Sequence, residues 1–134
     1  IGLETSVVVN PPSTHRQMVA TSKLPFFRGS WIADYPDAEN YLSLFYSKNF
    51  CPNGPNYTHF KSLDFDRLYE QSLSEINDSS RYVLYNEMNA VIAREAAVVP
   101  LYYDQVLRFS HKNISGFKSN AMNMLDLKRV KKEL

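Results

Sequence analysis

The chain has 134 residues, 15 basic against 14 acidic, and a formal net charge of +1. That balance excludes a general nucleic-acid footprint, and no apolar run approaches the ~20 residues a membrane-spanning helix needs. Cys51 is the only cysteine, so no disulfide closes within the chain, and His15, His59 and His111 lack metal-ligand spacing. No cofactor or metal is therefore expected.

Residues 3–9 alternate weakly and end in three valines, which predicts a strand stopped by Asn10-Pro-Pro12. A short helix is expected over 13–21, with Ser13 able to cap its start. Phe26, Phe27, Trp31 and Ile32 give 25–33 the aromatic and β-branched character of a second strand. Pro36 then marks a turn, and a helix is expected over 37–46 with Ala38, Tyr41, Leu42 and Phe45 on one face. Residues 47–61 hold Cys-Pro-Asn-Gly-Pro-Asn, which is loop chemistry. The next helix, 63–76, has Phe65, Leu68, Tyr69, Leu73 and Ile76 as its stripe. Asp78 can cap the longest one, 79–95, whose stripe is Leu84, Tyr85, Met88, Val91 and Ile92. Strands are expected at 98–103 and 105–110, with one more short strand in the tail. The basic segment Lys128–Glu133 reads as a solvated terminus. This order indicates an α/β domain, a mixed β-sheet flanked by helices, with 1–134 as a single domain.

Chemistry concentrates where the second strand meets the acidic turn. Asp34 falls at the C-terminal end of that strand, the place where open α/β sheets bind ligands. A carboxylate there beside Trp31 suits a cation such as an amine. The competing role for Asp34 is to cap the helix, but Asp37 stands immediately before the helix and is better placed to do so. By strand alternation Arg28 lies on the same face as Asp34. Its fork matches a carboxylate, although a surface position or an internal salt bridge would also account for it. Trp31 has the opposite parity, which leaves it either in the core or, with a bend near Gly29, on the groove wall.

Trp31-Ile-Ala-Asp-Tyr-Pro-Asp37 resembles the signature near the C-terminal end of the extracytoplasmic solute-binding proteins of peptide and nickel ABC transporters. The similarity continues in order through Asn56-Tyr-Thr-His-Phe60, Phe65-Asp-Arg-Leu68, Arg81-Tyr-Val-Leu-Tyr85, Val99-Pro-Leu-Tyr-Tyr103 and Ile114-Ser-Gly-Phe117. The resemblance implies a type II periplasmic binding protein fold, of which this chain is part of the C-terminal ligand-binding lobe. It also implies a periplasmic or other extracytoplasmic location with lipid anchoring left open, a peptide ligand, and a membrane permease and the remaining lobe of a longer chain as partners. Asp34 matches the aspartate that pairs with the α-amino group of the ligand. Arg28 matches a position where some relatives hold an arginine near the peptide carboxylate. The backbone of Trp31, Ile32 and Ala33 is a candidate docking edge for a peptide bound as an added strand. Tyr102 and Asp104, on one face of the expected 98–103 strand and its end, complete the candidate set. Asp104 is either a second cleft acid or a solvated one.

Two other readings stand beside peptide capture. The same fold could take a nickel chelate, haem, an opine or an oligosaccharide. Alternatively, Asp34, Asp37 or Glu39 could serve as acid and base in a small hydrolase, but capping already explains that cluster and no nucleophile adjoins it, so no enzyme is expected. Cys51 either pairs outside this chain or is an unpaired thiol. If neighbouring strands are missing, an exposed apolar face would invite self-association.

Overall fold

The computed structural model describes residues 2–120 and 122–133. In chain order they form helices α1 (Pro12–Ala20), α2 (Glu39–Leu42), α3 (Leu63–Ser74) and α4 (Asp78–Glu95), then strands β1 (Ile114–Ser115) and β2 (Lys131–Lys132). Short 3-10 turns at Ser43–Phe45 and Ser47–Asn49 follow α2.

Packing centres on the α3–α4 hairpin with α2 laid against it. Ser62 starts α3, its hydroxyl accepting from the Phe65 amide, and Asp64 and Asp66 place negative charge at the positive end of the helix. Phe65, Leu68, Tyr69 and Ser72 are the buried face of α3. Across from them α4 buries Leu84, Tyr85, Met88, Val91 and Ile92, the whole stripe that its sequence spacing predicts. Phe65 and Met88 are completely enclosed, each gaining about 1.5–3 kcal/mol over the exposed side chain. Phe45, Phe60 and Phe65 meet edge to face, with ring centroids 5.7–6.2 Å apart. The loop between the 3-10 turns and α3 is held by Asn56, fully buried. Its amide group donates to the Tyr46 and Phe60 carbonyls at 3.1 and 3.0 Å, and its oxygen accepts from the Thr58 hydroxyl and the Phe60 amide. All of its polar capacity is satisfied, which is what makes a buried asparagine tolerable.

β1 and β2 pair antiparallel, Ile114 opposite Lys132 and Ser115 opposite Lys131, so the tail does supply a short strand. Gly116 turns the chain out of β1 with φ +79°, and a Cβ there would lie 2.1 Å from the Arg129 carbonyl oxygen. Helices with a small sheet are consistent with an α/β segment.

Several sequence expectations are corrected. Residues 3–9, 25–33, 98–103 and 105–110 lie outside helix and strand. Their composition favours strands, but a strand exists only through a hydrogen-bonded neighbour, and no described residues pair with them. Their apolar side chains are correspondingly bare: Val7, Val9, Phe26, Tyr103 and Phe109 are each at least 85% exposed. The face-alternation arguments for Arg28 with Asp34, and for Tyr102 with Asp104, lapse with those strands. Asn77, not Asp78, caps α4 by accepting from the Ser80 amide, which leaves Asp78 in the first turn to pair with Arg81. α1 begins on Pro12 without a side-chain cap, so Ser13 has no capping role. The expected 37–46 helix is shortened to α2 and a 3-10 turn, burying Leu42 but exposing Tyr41. α3 ends at Ser74, where Glu75 turns extended (ψ 118°), which leaves Ile76 97% exposed; Leu73, still within α3, also lies outside the core.

Candidate ligand-binding site

The turn Asp34–Asp37 is fastened on two sides by groups with different tasks. Asp37 does the structural work: its Oδ1 accepts from the Glu39 amide at 2.8 Å and from the Tyr85 hydroxyl at 2.9 Å. Its Oδ2 lies 3.3 Å from the Arg81 guanidinium, which also holds Asp78 at 2.9 Å. Burial works to raise the Asp37 carboxyl, but the Glu39 amide, the Tyr85 hydroxyl and Arg81 together hold it below the usual carboxylate range. Tyr85 responds in the other direction, pushed up to about 12 by its own burial and by the bond to Asp37. Glu39 receives the hydroxyls of both Tyr35 and Tyr69. Burial and that carboxylate raise Tyr69 well above an ordinary tyrosine. Tyr35, Asp37, Glu39, Arg81 and Tyr85 line a cavity of about 250 Å³ with Ser72 and Leu73.

Asp34 is different. It is exposed, and among the described residues its carboxylate has no hydrogen-bond or ion-pair partner; only its backbone amide is engaged, by Asn40 Oδ1 at 3.2 Å. The same oxygen accepts from Trp31 Nε1 at 2.7 Å. Trp31 is thus not a fully buried core side chain: it is half-buried, with its indole edge tied to α2. Ile32 is 68% exposed and Ala33 half-buried between these two anchors.

The remaining candidates form a second group. Arg28 is exposed and donates from Nη2 to the Tyr102 hydroxyl, with its guanidinium 5.8 Å from the Tyr102 ring centroid. The carbonyl of Arg28 is also in contact with His15 Nε2, at 3.1 Å. Arg28 and Tyr102 are 74 positions apart, so this link ties two unpaired segments together without a ladder. Asp104 is exposed and has no side-chain partner among the described residues. Cys51 is a buried free thiol whose Sγ lies 3.1 Å from His59 Nε2. Among the described residues no His, Cys, Asp and Glu group is placed to hold a metal ion, and no helix is long and apolar enough to cross a membrane.

Sequence reasoning missed Asn40, which is 3% exposed and central to the turn. Its one signal was an amide side chain of poor helix propensity close to a helix start, where such a residue usually serves a local backbone bond.

The turn thus carries one engaged and one open carboxylate beside an anchored indole. No protein-family model matches the chain. Curated binding proteins do. It is 24% identical over 106 residues to the dipeptide-binding protein DppE of Bacillus subtilis, covering 79% of this chain and 19% of that one. It is 32% identical over 90 residues to the periplasmic oligopeptide-binding protein OppA of Salmonella typhimurium, covering 67% and 16%. Over 90 residues it is also 28% identical to the probable deoxycholate-binding periplasmic protein YgiS of Escherichia coli, again covering 67% and 16%. The chain is therefore homologous to the extracytoplasmic solute-binding proteins of peptide and nickel ABC transporters, the family that its ordered motifs resemble. It spans less than a fifth of the length of these relatives.

Proposed function

We propose that the chain is part of the C-terminal lobe of a longer solute receptor with the type II periplasmic binding fold. The receptor works outside the cytoplasmic membrane, captures peptides there, and delivers them to the permease of an ABC importer. It binds and does not catalyse. The observation that carries this reading is the run of peptide-binding names among homologues aligned with two thirds or more of this chain. The bare apolar segments 3–9 and 98–109 suit it, because a longer chain would supply the strands and lobe that cover them.

Asp34 pairs with the α-ammonium group of the peptide. A carboxylate without a protein partner at the end of an anchored turn gains most from an incoming cation, and the pair offsets the desolvation of both charges. Trp31 bounds the ligand on one side, and the backbone of Ile32 and Ala33 offers strand-type hydrogen bonds that ignore side-chain identity. Arg28, steadied by Tyr102, takes the peptide carboxylate, and Asp104 favours cationic ligands.

In the full-length protein, Asp34→Asn should cost free-amine peptides about 2–5 kcal/mol, roughly 30-fold to several thousand-fold in affinity. N-acetylated peptides should lose far less. Calorimetric titration of both ligand types checks this, and equal weakening of the two would remove the amine anchor. A second reading, the same fold with a non-peptide ligand, is favoured by the deoxycholate-binding name of one relative. Mass spectrometry of ligands retained on purification separates the two.

A further inference from the structure

We infer that Asn40 is a positioning residue for ligand binding, one side-chain oxygen that fixes both the indole and the acidic end of the site. The inference rests on the peptide-amine reading of Asp34. Asn40 lies in the first turn of α2 and, like Leu42, is buried, at 3% exposed. Its Oδ1 receives two donors from outside the helix, Trp31 Nε1 at 2.7 Å and the Asp34 amide at 3.2 Å. Both partners are donors only, so the amide orientation of Asn40 is settled by them, with the oxygen towards the site.

The physical consequence is a shared constraint. Residues 25–33 have no strand partner among the described residues, so nothing in a ladder sets the angle of Trp31 or the height of Asp34 above the helix. The Asn40 oxygen substitutes for that ladder at one point. It sets where the indole stands and where the Asp34 carboxylate begins, and leaves that carboxylate unbonded for a ligand. Asp37 anchors the far end of the same turn through Glu39, Tyr85 and Arg81. The turn is therefore pinned at both ends, with Asp34 presented from its near edge. Such preorganisation lowers the ordering cost of binding without touching the ligand.

Trp31 is the only tryptophan, so its indole N–H gives a single assignable resonance. Hydrogen exchange of the Trp31 indole and the Asp34 amide is measured in this chain for the unaltered protein, Asn40→Leu and Asn40→Asp. Asn40→Leu should speed exchange at both groups by about tenfold while the amides of α3 and α4 keep their protection. Asn40→Asp retains an acceptor oxygen and should keep both groups protected. Unchanged exchange in Asn40→Leu, or loss of both protections in Asn40→Asp with α3 and α4 intact, would overturn the inference.

A second arm titrates trialanine and N-acetyl-trialanine into the full-length protein carrying Asn40→Leu or Asp34→Asn. Asn40→Leu should weaken trialanine about tenfold, the scale of one lost hydrogen bond, and the acetylated peptide less. If Asp34→Asn leaves both peptides bound as before, the amine reading fails. If Asp34→Asn weakens trialanine selectively and Asn40→Leu does not, the amine reading stands and the role of Asn40 falls.

Discussion

Asp34 and Asp37 stand three residues apart in one turn with opposite surroundings. Asp37 accepts from a backbone amide and a tyrosine and lies beside a guanidinium, whereas the carboxylate of Asp34 touches no described donor. Stability and binding should therefore separate between them. Asp37→Ala strands the Glu39 amide and the Tyr85 hydroxyl and leaves Arg81 with Asp78 alone, and should destabilise the chain by about 2–3 kcal/mol. Asp34→Ala removes no folded-state bond and should change stability by less than about 0.5 kcal/mol. Urea unfolding followed by helix circular dichroism measures both; similar losses would mean that Asp34 also has a structural task.

Asp37 and its partner Tyr85 set the pH limits of the turn. Asp37 titrates below its ordinary value of 3.8 in the folded chain. Its contribution is thus complete above that value and is lost as pH falls through the depressed one. Tyr85 is shifted from 10.0 up to about 12, so its contribution is complete below pH 10.0 and is lost as pH rises towards 12. Denaturation midpoints taken across pH should show Asp37→Ala flattening the acid limb and Tyr85→Phe flattening the alkaline one. An acid limb unchanged in Asp37→Ala would assign that limb to other carboxylates.

What was legible in the sequence follows how local each determinant is. The α4 stripe was fully legible because period 3.6 is written into one segment and the helix satisfies its own backbone. Asp37 as the residue engaged at the start of α2 was legible for the same reason, being a contact two residues long. The expected strands were not, since a strand's partner lies elsewhere in the chain or outside it, and composition reports only willingness to pair. That Asp37 rather than Asp34 is engaged at the helix start could be argued from position alone. The Asn40 bridge could not, because it depends on how a non-helical segment folds back over a helix six to nine residues later.

The hydrophobic stripe of α3 gives a sharper contrast. Sequence spacing put Phe65 and Ile76 on one face, but α3 stops at Ser74 and the two end in opposite environments, 0% and 97% exposed. Phe65→Ala should cost about 3–5 kcal/mol, with Met88→Ala at about 2–5 kcal/mol beside it. Ile76→Ala should fall within about 0.5 kcal/mol of the unaltered chain. Thermal unfolding of the three variants settles it. A large loss at Ile76 would mean that the helix continues past Ser74.

The final expectation concerns the surface outside the hairpin. Val7, Val9, Phe26, Tyr103 and Phe109 are nearly bare, and all lie in segments whose composition favours strand pairing. Unpaired backbone with apolar side chains is a template for another chain. With a net charge of only +1, little long-range repulsion keeps copies apart. The chain on its own should therefore associate as its concentration rises. Sedimentation velocity between about 5 and 200 μM should show the weight-average mass increasing across the range, since association follows mass action. Replacing Val7, Val9 and Phe109 together with threonine or lysine should shift that increase to higher concentration while leaving the α3–α4 helix signal intact. A chain that stays monomeric throughout would show that these segments need no cover, and would remove one support for the proposed further lobe.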